Sequence, residues 1–260
     1  MGEDVNLEQV TPLVLTYNEV ANIGRTLSAL AWAKRIVVVD SGSDDGTLEV
    51  IKRYPQAVVF HRQFDTHAKQ WNFGLTKIAS AFTLSLDADY LLTAEFVREL
   101  QALSDEGVDG WFAPFKYCVG GKPLRASLLP SRLVLFRTSG AHYSDDGHTQ
   151  RLDTPPVTRT LRTPILHDDR KAPSRWRDSQ AKYADLEVTK LLASSSKNLD
   201  WPDRLRLFYL GPVLVLPYCL FAKGLVLAGA SGWSYSVQRW YAEWVLAMRL
   251  FRRRHWRSAG

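Results

Sequence analysis

The sequence predicts an α/β fold in which helices cover both faces of a mostly parallel sheet. Short apolar segments alternate with helix-length amphipathic segments over residues 11–89, an order that favours parallel strands joined by crossover helices. The segment at residues 35–40 (RIVVVD) is almost entirely β-branched, as expected of a strand buried on both faces. Three of the predicted strands end in polar or acidic side chains.

Three predicted helices connect four predicted strands in this region. The strands are expected at residues 11–16, 35–40, 57–61 and 82–86, where short apolar runs occur. Helices are expected to start near residues 20 and 47 and to cover residues 69–79, because apolar residues recur there at helical spacing. Asp45 or Thr47 is placed to cap the second helix.

The rest of the chain has a less regular pattern. We predict a helix over residues 94–103 capped by Thr93, strands at 110–117 and 133–137, a polar loop at 144–150 and a helix at 174–193. These elements indicate a catalytic domain over residues 1–170 and a helical region over residues 171–260.

The last part of the chain carries two uncharged runs, residues 207–222 and 224–238, separated by Lys223. Each is shorter than the roughly 20 apolar residues of a spanning helix, so interfacial or re-entrant helices are expected. Six arginines and one glutamate follow from residue 239 onward, mixed with aromatic residues. This pattern is typical of contact with an anionic membrane surface, and helices packed in the protein core are the alternative.

The composition indicates the cellular compartment and the classes of partner that suit the chain. The net charge of +6 and the pI of about 9.3 suit an anionic partner of any class. Cys118 and Cys219 lack metal-ligand or redox spacing, which indicates free thiols in a reducing compartment. No apolar run precedes Thr11, so we expect no signal peptide and a cytosolic catalytic region. The C-terminal arginines adjoin apolar runs rather than a polar platform, which argues against nucleic acid.

Polar residues follow three strands that are predicted to share one sheet edge. They are residues 17–19 (YNE), Asp40, and the pair Asp87 and Asp89. In open α/β sheets, ligands bind at the carboxyl ends of the strands. Two carboxylates two residues apart repel each other unless a positive charge lies between them, and a divalent cation carrying phosphates meets that need.

These segments resemble the family 2 glycosyltransferases of the GT-A fold. The resemblance rests on residues 16–19 (TYNE), 38–47 (VVDSGSDDGT) and 87–89 (DAD), which stand in the family's order, and on 69–74 (KQWNFG). Within the family the chain is most similar to the lipopolysaccharide-core β-glucosyltransferase branch. That branch usually has Glu where this chain has Tyr90 and Thr149.

The resemblance implies roles for individual residues. The donor would be a nucleoside-diphosphate sugar, with UDP favoured, and Asp89 with Asp87 would bind Mg²⁺ or Mn²⁺ that bridges its diphosphate. Asp87 would also lie near the ribose. The remaining implied or charge-based substrate contacts are Thr16, Tyr17, Asn18, Glu19, Asp40, Gly42, Lys69, Gln70, Arg132 and Arg151.

An inverting transfer needs a general base for the acceptor hydroxyl. Asp146 is the first candidate and Asp145 the second, because both lie in the loop where family members keep a catalytic acid. His148 is a third candidate, as base, metal ligand or phosphate donor. All three roles come from the resemblance and stay open at this point.

Structural interpretations compete with several of these roles. Glu19 could serve helix capping, and Asp44 and Asp45 could serve a turn and a cap. His61, His67, His142 and His167 receive no role. His167 and the two aspartates after it are expected to form a solvated loop.

The predicted function is metal-dependent, inverting sugar transfer to a membrane-associated glycan or lipid acceptor. The acceptor would be lipopolysaccharide or another cell-envelope glycan, and the enzyme would lie at the inner face of the cytoplasmic membrane, peripheral or re-entrant. Two alternatives are a nucleotidyltransferase and a non-catalytic scaffold at the membrane surface. The nucleotidyltransferase predicts a Gly-rich basic loop after the first strand, where this chain has residues 17–19 (YNE).

Overall fold

Strands and helices alternate through the first ninety residues in the predicted order. The structure is a computed structural model that describes residues 6–104, 107–146, 149–194 and 199–255. The strands are β1 (Val10–Thr16), β2 (Ile36–Asp40), β3 (Ala57–His61), β4 (Phe82–Asp87), β5 (Tyr90–Leu91), β6 (Gly110–Ala113), β7 (Phe115–Val119), β8 (Lys122–Pro123), β9 (Arg132–Arg137), β10 (Tyr143–Asp146), β11 (Thr149–Leu152), β12 (Thr158–Thr160) and β13 (Ile165–His167). The α-helices are α1 (Ile23–Ala29), α2 (Thr47–Ile51), α3 (His67–Leu75), α4 (Ala94–Gln101), α5 (Pro173–Ala193), α6 (Trp201–Leu207), α7 (Gly211–Pro217) and α8 (Gly229–His255).

A seven-stranded sheet in the order β12-β6-β9-β4-β1-β2-β3 confirms the predicted α/β fold with a mostly parallel sheet. The four strands β4, β1, β2 and β3 are parallel. Strand β9 runs antiparallel to both β4 and β6, and β12 is parallel to β6. The parallel half therefore gathers the carboxyl ends of its strands at one edge, as the sequence predicts.

The central strands are buried on both faces, as their near-continuous apolar sequence predicts. In β2, Val37 and Val39 join a cluster with Ala68 and Trp71 of α3. The alternate residue Val38 joins a second cluster that includes the apolar side chains of α1, α2 and α4. Because successive strand residues point to opposite faces, one strand anchors helices on both sides.

Two segments differ from their predicted structure. The single strand expected at residues 110–117 is divided at Pro114, which has no N–H to donate to a neighbouring strand. The expected polar loop at 144–150 lies largely in β10 and β11, which form a two-stranded sheet. Backbone pairing between these strands does not require apolar side chains, so the hydropathy pattern gave no sign of them.

The chain divides into two units. Unit 1 comprises Met1–Pro123, Leu129–Asp145 and Gln150–Lys171, and unit 2 comprises Leu124–Leu128, Asp146–Thr149 and Ala172–Gly260. Residues of α5 and α8 form the apolar core of unit 2, with Val188, Leu246 and Leu250 buried in one cluster. The boundary at residue 170 stays our proposal for the functional domains.

The helices of unit 2 have limited apolar length. Within the described ranges, no single helix is long and apolar enough to cross a membrane. The pair Gly211–Ala222 and Leu225–His255 meets the length and composition criteria only when taken together, and it is bent by 70°.

Because α3 packs closely on β1, one methyl group added at Gly74 should lower the stability of the fold. A Cβ added at Gly74 would lie 2.5 Å from Cδ1 of the fully buried Leu13. We expect Gly74→Ala to lower the free energy of unfolding by about 1–3 kcal/mol in urea titrations, because the core must shift to accept it. Gly24→Ala in α1 is the matched control, since its nearest contact is 3.2 Å. Equal stability of the two variants would contradict the prediction.

Candidate active site

The polar strand ends meet at one edge of the sheet. Thr16 is directly opposite Asp40 in the pairing of β1 with β2, and Leu15 is opposite Asp87 in the pairing of β1 with β4. The predicted convergence of the three strand ends is therefore present. This edge is where the candidate site lies.

Asp40 organises the turn that follows β2. Its Oδ2 accepts hydrogen bonds from the backbone N–H groups of Gly42 and Ser43 at 2.9 and 3.0 Å. The carboxylate is completely buried, and His61 Nδ1 lies 3.4 Å from Asp40 Oδ2. The structure thus gives Asp40 a turn-forming role, and its contact with a nucleotide stays a prediction.

The turn after β1 is tied to the turn after β2. The backbone N–H of Asn18 donates to Ser43 Oγ at 2.8 Å, and Asn18 Oδ1 accepts from the N–H of Asp44 at 2.8 Å. Asn18 has a positive φ of 56°, a left-handed conformation that asparagine tolerates better than most residues. Asp45 Oδ1 accepts from the N–H of Thr47 at 3.1 Å, which stabilises the turn before α2. The expectation that Asp45 or Thr47 caps this helix is wrong, because the N-cap position is Gly46 and no described side chain caps the helix.

Three positions at this edge are open to a ligand. The Thr16 hydroxyl is buried and has no hydrogen-bond partner among the described residues. Gly42 has a φ of +95° and no atom within 4 Å of where a Cβ would lie. Tyr17 is 55% exposed. A polar ligand at the strand ends would satisfy the Thr16 hydroxyl and find space beside Gly42.

Gln70 and Lys69, at the start of α3, differ sharply in their surroundings. Gln70 is buried, and its amide donates to Ser41 Oγ at 2.7 Å and to the Arg62 carbonyl at 2.9 Å. Lys69 is exposed and lies 3.3 Å from Asp65. Gln70 therefore joins the helix start to the turn after β2, whereas Lys69 is accessible to an anionic ligand.

Tyr90 links the groups around Asp87. Its hydroxyl accepts from Arg132 Nη1 at 3.1 Å, and the same Arg132 nitrogen lies 3.9 Å from Asp87 Oδ2. Burial, together with the neighbouring Asp87 carboxylate, raises the pKa of Tyr90 well above its usual value. The side chain is thus a neutral hydrogen-bonding group at a position where an acid would add a further negative charge.

Asp89 pairs with a histidine 78 residues further along the chain. Strand β13 lies antiparallel to β5, and His167 Nε2 comes within 3.1 Å of Asp89 Oδ2. Burial would raise the pKa of Asp89, but the His167 imidazole and then the Lys171 ammonium outweigh it and lower this pKa to about 2. The charge of Asp89 raises the pKa of His167 despite burial of the ring.

Glu19 faces the same group of charges. Its carboxylate forms an ion pair with Lys171 and accepts from Asn22 Nδ2 at 2.8 Å. Burial and then the charge of Asp89 raise the pKa of Glu19 to about 7, although Lys171 opposes the shift. Glu19 therefore belongs to a buried charge network and does not cap α1, whose N-cap is Asn22. Its contact with a nucleotide stays a prediction.

The expectation of a solvated loop after His167 is wrong. Asp168 is 3% exposed and accepts from Arg25 Nη1 at 2.6 Å and from Arg170 Nε at 2.9 Å. Burial of Asp168 is favourable because two guanidinium groups neutralise its charge. The sequence carried one signal for this site, the run of five polar and charged residues at 167–171 (HDDRK).

Asn22 completes the connection between α1 and this run. It is fully buried, and its amide donates to Asp169 Oδ1 at 2.9 Å as well as to Glu19. Its Oδ1 accepts from Arg25 Nη2 at 2.7 Å and from the backbone N–H of Arg170 at 2.9 Å. Sequence reasoning missed Asn22, because a lone asparagine before a helix is usually a cap.

The three candidate bases occupy different positions. In β10, Asp145 Oδ1 lies 3.4 Å from the backbone N of Ala68 in unit 1. Asp146 lies in unit 2, where its Oδ1 forms an ion pair with Lys190 of α5 at 3.0 Å. His148 lies outside the described residues. Arg151, a suggested phosphate contact, is exposed in β11.

Asp89 and His167 have the chemistry of a partial metal site. In the described ranges, no group of three or more His, Cys, Asp or Glu side chains is arranged to hold a metal ion. A carboxylate oxygen and an imidazole nitrogen about 3.1 Å apart nevertheless suit two ligands of one divalent cation. Mg²⁺ in phosphate-transfer sites is commonly held by one or two protein groups plus the phosphates of the substrate. The Asp89 carboxylate fits such an ion as a single oxygen ligand, and ligation by His167 as well would require a neutral imidazole and suits Mn²⁺ better than Mg²⁺.

Comparison with known proteins identifies relatives of the whole chain. A family model described as glycosyl transferase family 2 matches residues 13–154, more than half of the chain. Lipopolysaccharide core biosynthesis glycosyltransferase LpsC of Rhizobium meliloti (strain 1021) is 24% identical over 254 residues, covering 94% of this chain and 92% of LpsC.

Solved structures also align with most of the chain. S. aureus TarS 1–349 in complex with UDP has a TM-score of 0.49 and 15% identity, covering 94% of this chain and 91% of that one. Mannosyltransferase PcManGT from Pyrobaculum calidifontis, in complex with GDP-Man and Mn²⁺, has a TM-score of 0.48 and 17% identity, with coverages of 94% and 87%.

The buried network around Asn22 predicts a large stability effect. We expect Asn22→Ala to lower the free energy of unfolding by about 2–4 kcal/mol, because buried donors and acceptors on several segments lose their partner at once. Gln101→Ala on the exposed end of α4 is the amide control and should change stability by less than about 0.5 kcal/mol. Urea titration of both variants makes the comparison, and a loss no larger than that of the control would refute the network's role.

Proposed function

This chain belongs to glycosyl transferase family 2, and on that basis we propose that it transfers a sugar from a nucleoside-diphosphate donor to a membrane-associated glycan or lipid acceptor. The transfer would invert the configuration of the anomeric carbon. Family membership makes the chain a glycosyltransferase, so the nucleotidyltransferase and scaffold alternatives are set aside. Lipopolysaccharide or another cell-envelope glycan is the proposed acceptor class, since LpsC is named for lipopolysaccharide core biosynthesis.

The observation that carries the proposal is the convergence of three strand ends on one sheet edge. The unpartnered Thr16 hydroxyl and the space at Gly42 lie beside the turn held by Asp40. Asp87 ends the neighbouring strand β4, and Asp89 follows it. A nucleotide at the first two positions would direct its diphosphate toward the two aspartates, with UDP as the favoured nucleotide.

We propose that Asp89 and His167 hold a Mg²⁺ or Mn²⁺ ion, with Asp87 close by. When bound, such an ion would stabilise the negative charge that develops on the departing diphosphate. Arg132 is 3.9 Å from Asp87 and donates to the Tyr90 hydroxyl, which supports the proposal that its guanidinium contacts a phosphate oxygen. Lys69, which is exposed at the start of α3, is a second cationic contact.

Deprotonation of the acceptor hydroxyl requires a carboxylate or imidazole within hydrogen-bond reach. We keep Asp146 as the first candidate, Asp145 as the second and His148 as the third. Asp146 would have to exchange its Lys190 contact for the acceptor hydroxyl. The long 3.4 Å contact of Asp145 would be easier to give up.

The proposed place of action is the inner face of the cytoplasmic membrane. A lipid-linked acceptor is confined to the bilayer, so an enzyme with a surface for anionic lipid would meet it more often. The apolar and basic C-terminal region is the proposed contact. It is proposed as peripheral or re-entrant because the described helices include no single one long and apolar enough to span.

The metal assignment predicts a shared effect of Asp89 and His167. Asp89→Asn and His167→Ala should each lower nucleotide-sugar turnover at least about 100-fold, measured as transfer or hydrolysis with Mn²⁺. Binding of Mn²⁺ in the presence of UDP, followed by electron paramagnetic resonance, should weaken in both variants. Glu95→Gln on the exposed face of α4 is the control. Wild-type turnover by Asp89→Asn would refute the proposal.

The choice of base predicts different effects for adjacent aspartates. If Asp146 is the base, Asp146→Asn should reduce kcat for transfer by about 100-fold or more. It should leave donor binding unchanged, because a base acts on the acceptor. Asp145→Asn is the matched neighbour and should retain most of its activity. The reverse result would assign the base to Asp145. High activity of both variants would contradict both aspartates and leave His148 as the candidate base.

A further inference from the structure

Helix α8 has two apolar faces, of which one is packed inside unit 2. Tyr235, Leu246 and Leu250 lie on the inner face and are at most 6% exposed. Six large apolar side chains on the outer face are between 37% and 51% exposed, and we call them the outer stripe. The outer stripe consists of Trp233, Val237, Trp240, Trp244, Met248 and Phe251.

The outer stripe follows the period of the helix. Successive members are separated by four, three, four, four and three residues, which places them along one line of an α-helix with 3.6 residues per turn. At a rise of 1.5 Å per residue the line is about 27 Å long. The water-facing side of a helix in a soluble domain is normally polar, so this side is suited to an apolar environment.

More apolar surface is exposed in the segments just before α8. Val213 in α7 is 67% exposed, Phe221 in the following π-helical turn is 71% exposed, and Leu227 in the 3₁₀ helix is 76% exposed. Isolated exposed apolar residues are ordinary, but a concentration in one region marks an interaction surface. Unit 2 therefore leaves a group of large apolar side chains exposed to solvent after it has folded.

The charges in this part of unit 2 are almost all positive. Between residues 207 and 255, the sequence contains six Lys and Arg residues and a single acid, Glu243. Glu243 is buried and accepts from Arg206 Nη2 at 2.7 Å. Of the six cations, Arg249 is offset by Asp185 of α5, at 2.8 Å. The segment keeps an excess of positive charge after both of these ion pairs are counted.

These properties favour an anionic lipid surface over a second copy of the chain as the partner of the outer stripe. A second copy of the chain placed on the same surface would bring two cationic regions together, which is unfavourable at a symmetric interface. Anionic lipid headgroups complement the cations, while the outer stripe can enter the boundary between headgroups and acyl chains. Three of its six members are tryptophan, a residue enriched at that boundary.

We infer that the outer stripe lies flat in the interface of an anionic bilayer, with α8 parallel to the membrane plane and its arginines among the headgroups. The inference deepens the proposed function by assigning the residues that meet the membrane. It does not depend on which sugar is transferred.

Vesicle binding by the full chain tests the inference. We compare the wild type with the double variant Trp240→Ser/Trp244→Ser, using vesicles with and without phosphatidylglycerol. Val58→Ser in β3 is the matched control, because Val58 is 38% exposed and lies in unit 1. We expect the double variant to bind phosphatidylglycerol vesicles at least about tenfold more weakly. The wild type should bind phosphatidylcholine vesicles weakly and lose affinity for the anionic vesicles at high salt.

Two further measurements separate the possible outcomes. Brominated acyl chains should quench wild-type tryptophan fluorescence on binding, and less so in the double variant. Equal binding by the double variant and Val58→Ser would overturn the inference, as would a lipid-free dimer that the double variant converts to a monomer. Transfer to a water-soluble acceptor fragment should survive in the double variant. Asp89→Asn should lose transfer but keep vesicle binding, so failure of the proposed function is distinguishable.

Discussion

Neutralisation of carboxylates at one edge of the sheet is the constraint on which the candidate site depends. Asp89 is buried yet ionised, because His167 and Lys171 offset the cost of removing its charge from water. Asp168 is buried in the same way between Arg25 and Arg170. Each acid is therefore held by a cation from a distant segment. The elements that supply the acids and the elements that supply the cations must fold together, so the charge balance couples the site to the fold.

The parallel half of the sheet could be predicted because its determinants are local. Alternation in β4 and the β-branched run in β2 follow from the pleat of a buried strand. The last residues of these strands, Asp40 and Asp87, then lie at one edge because parallel strands share their direction. Identifying the acids needed only the position of each strand end. What Asp40 does there was not predictable, since its partners are backbone N–H groups of its own turn.

The cationic side of the site could not be predicted because it depends on distant pairing. His167 reaches Asp89 through β13, a strand of only three residues, which is too short for an alternation pattern to show. Asp168 looked solvated because its sequence neighbours are charged, whereas those neighbours are the reason that it can be buried. Polar side chains likewise concealed the pairing of β10 with β11. A run of mixed charges can thus encode an interior as well as a surface.

The small number of protein ligands near Asp89 has a consequence for the order of binding. Within the described part of the chain, no three candidate ligands converge on one point. If Asp89 and His167 hold the proposed cation, two protein ligands leave most of its coordination shell to water and to the diphosphate of the donor. Cation and nucleotide would each strengthen the binding of the other by the same factor, because such coupling is reciprocal. Tyr90 strengthens this dependence, because its neutral phenol stands where a carboxylate would attract the cation without a nucleotide. The free enzyme would therefore discriminate poorly among divalent ions until a nucleotide is bound.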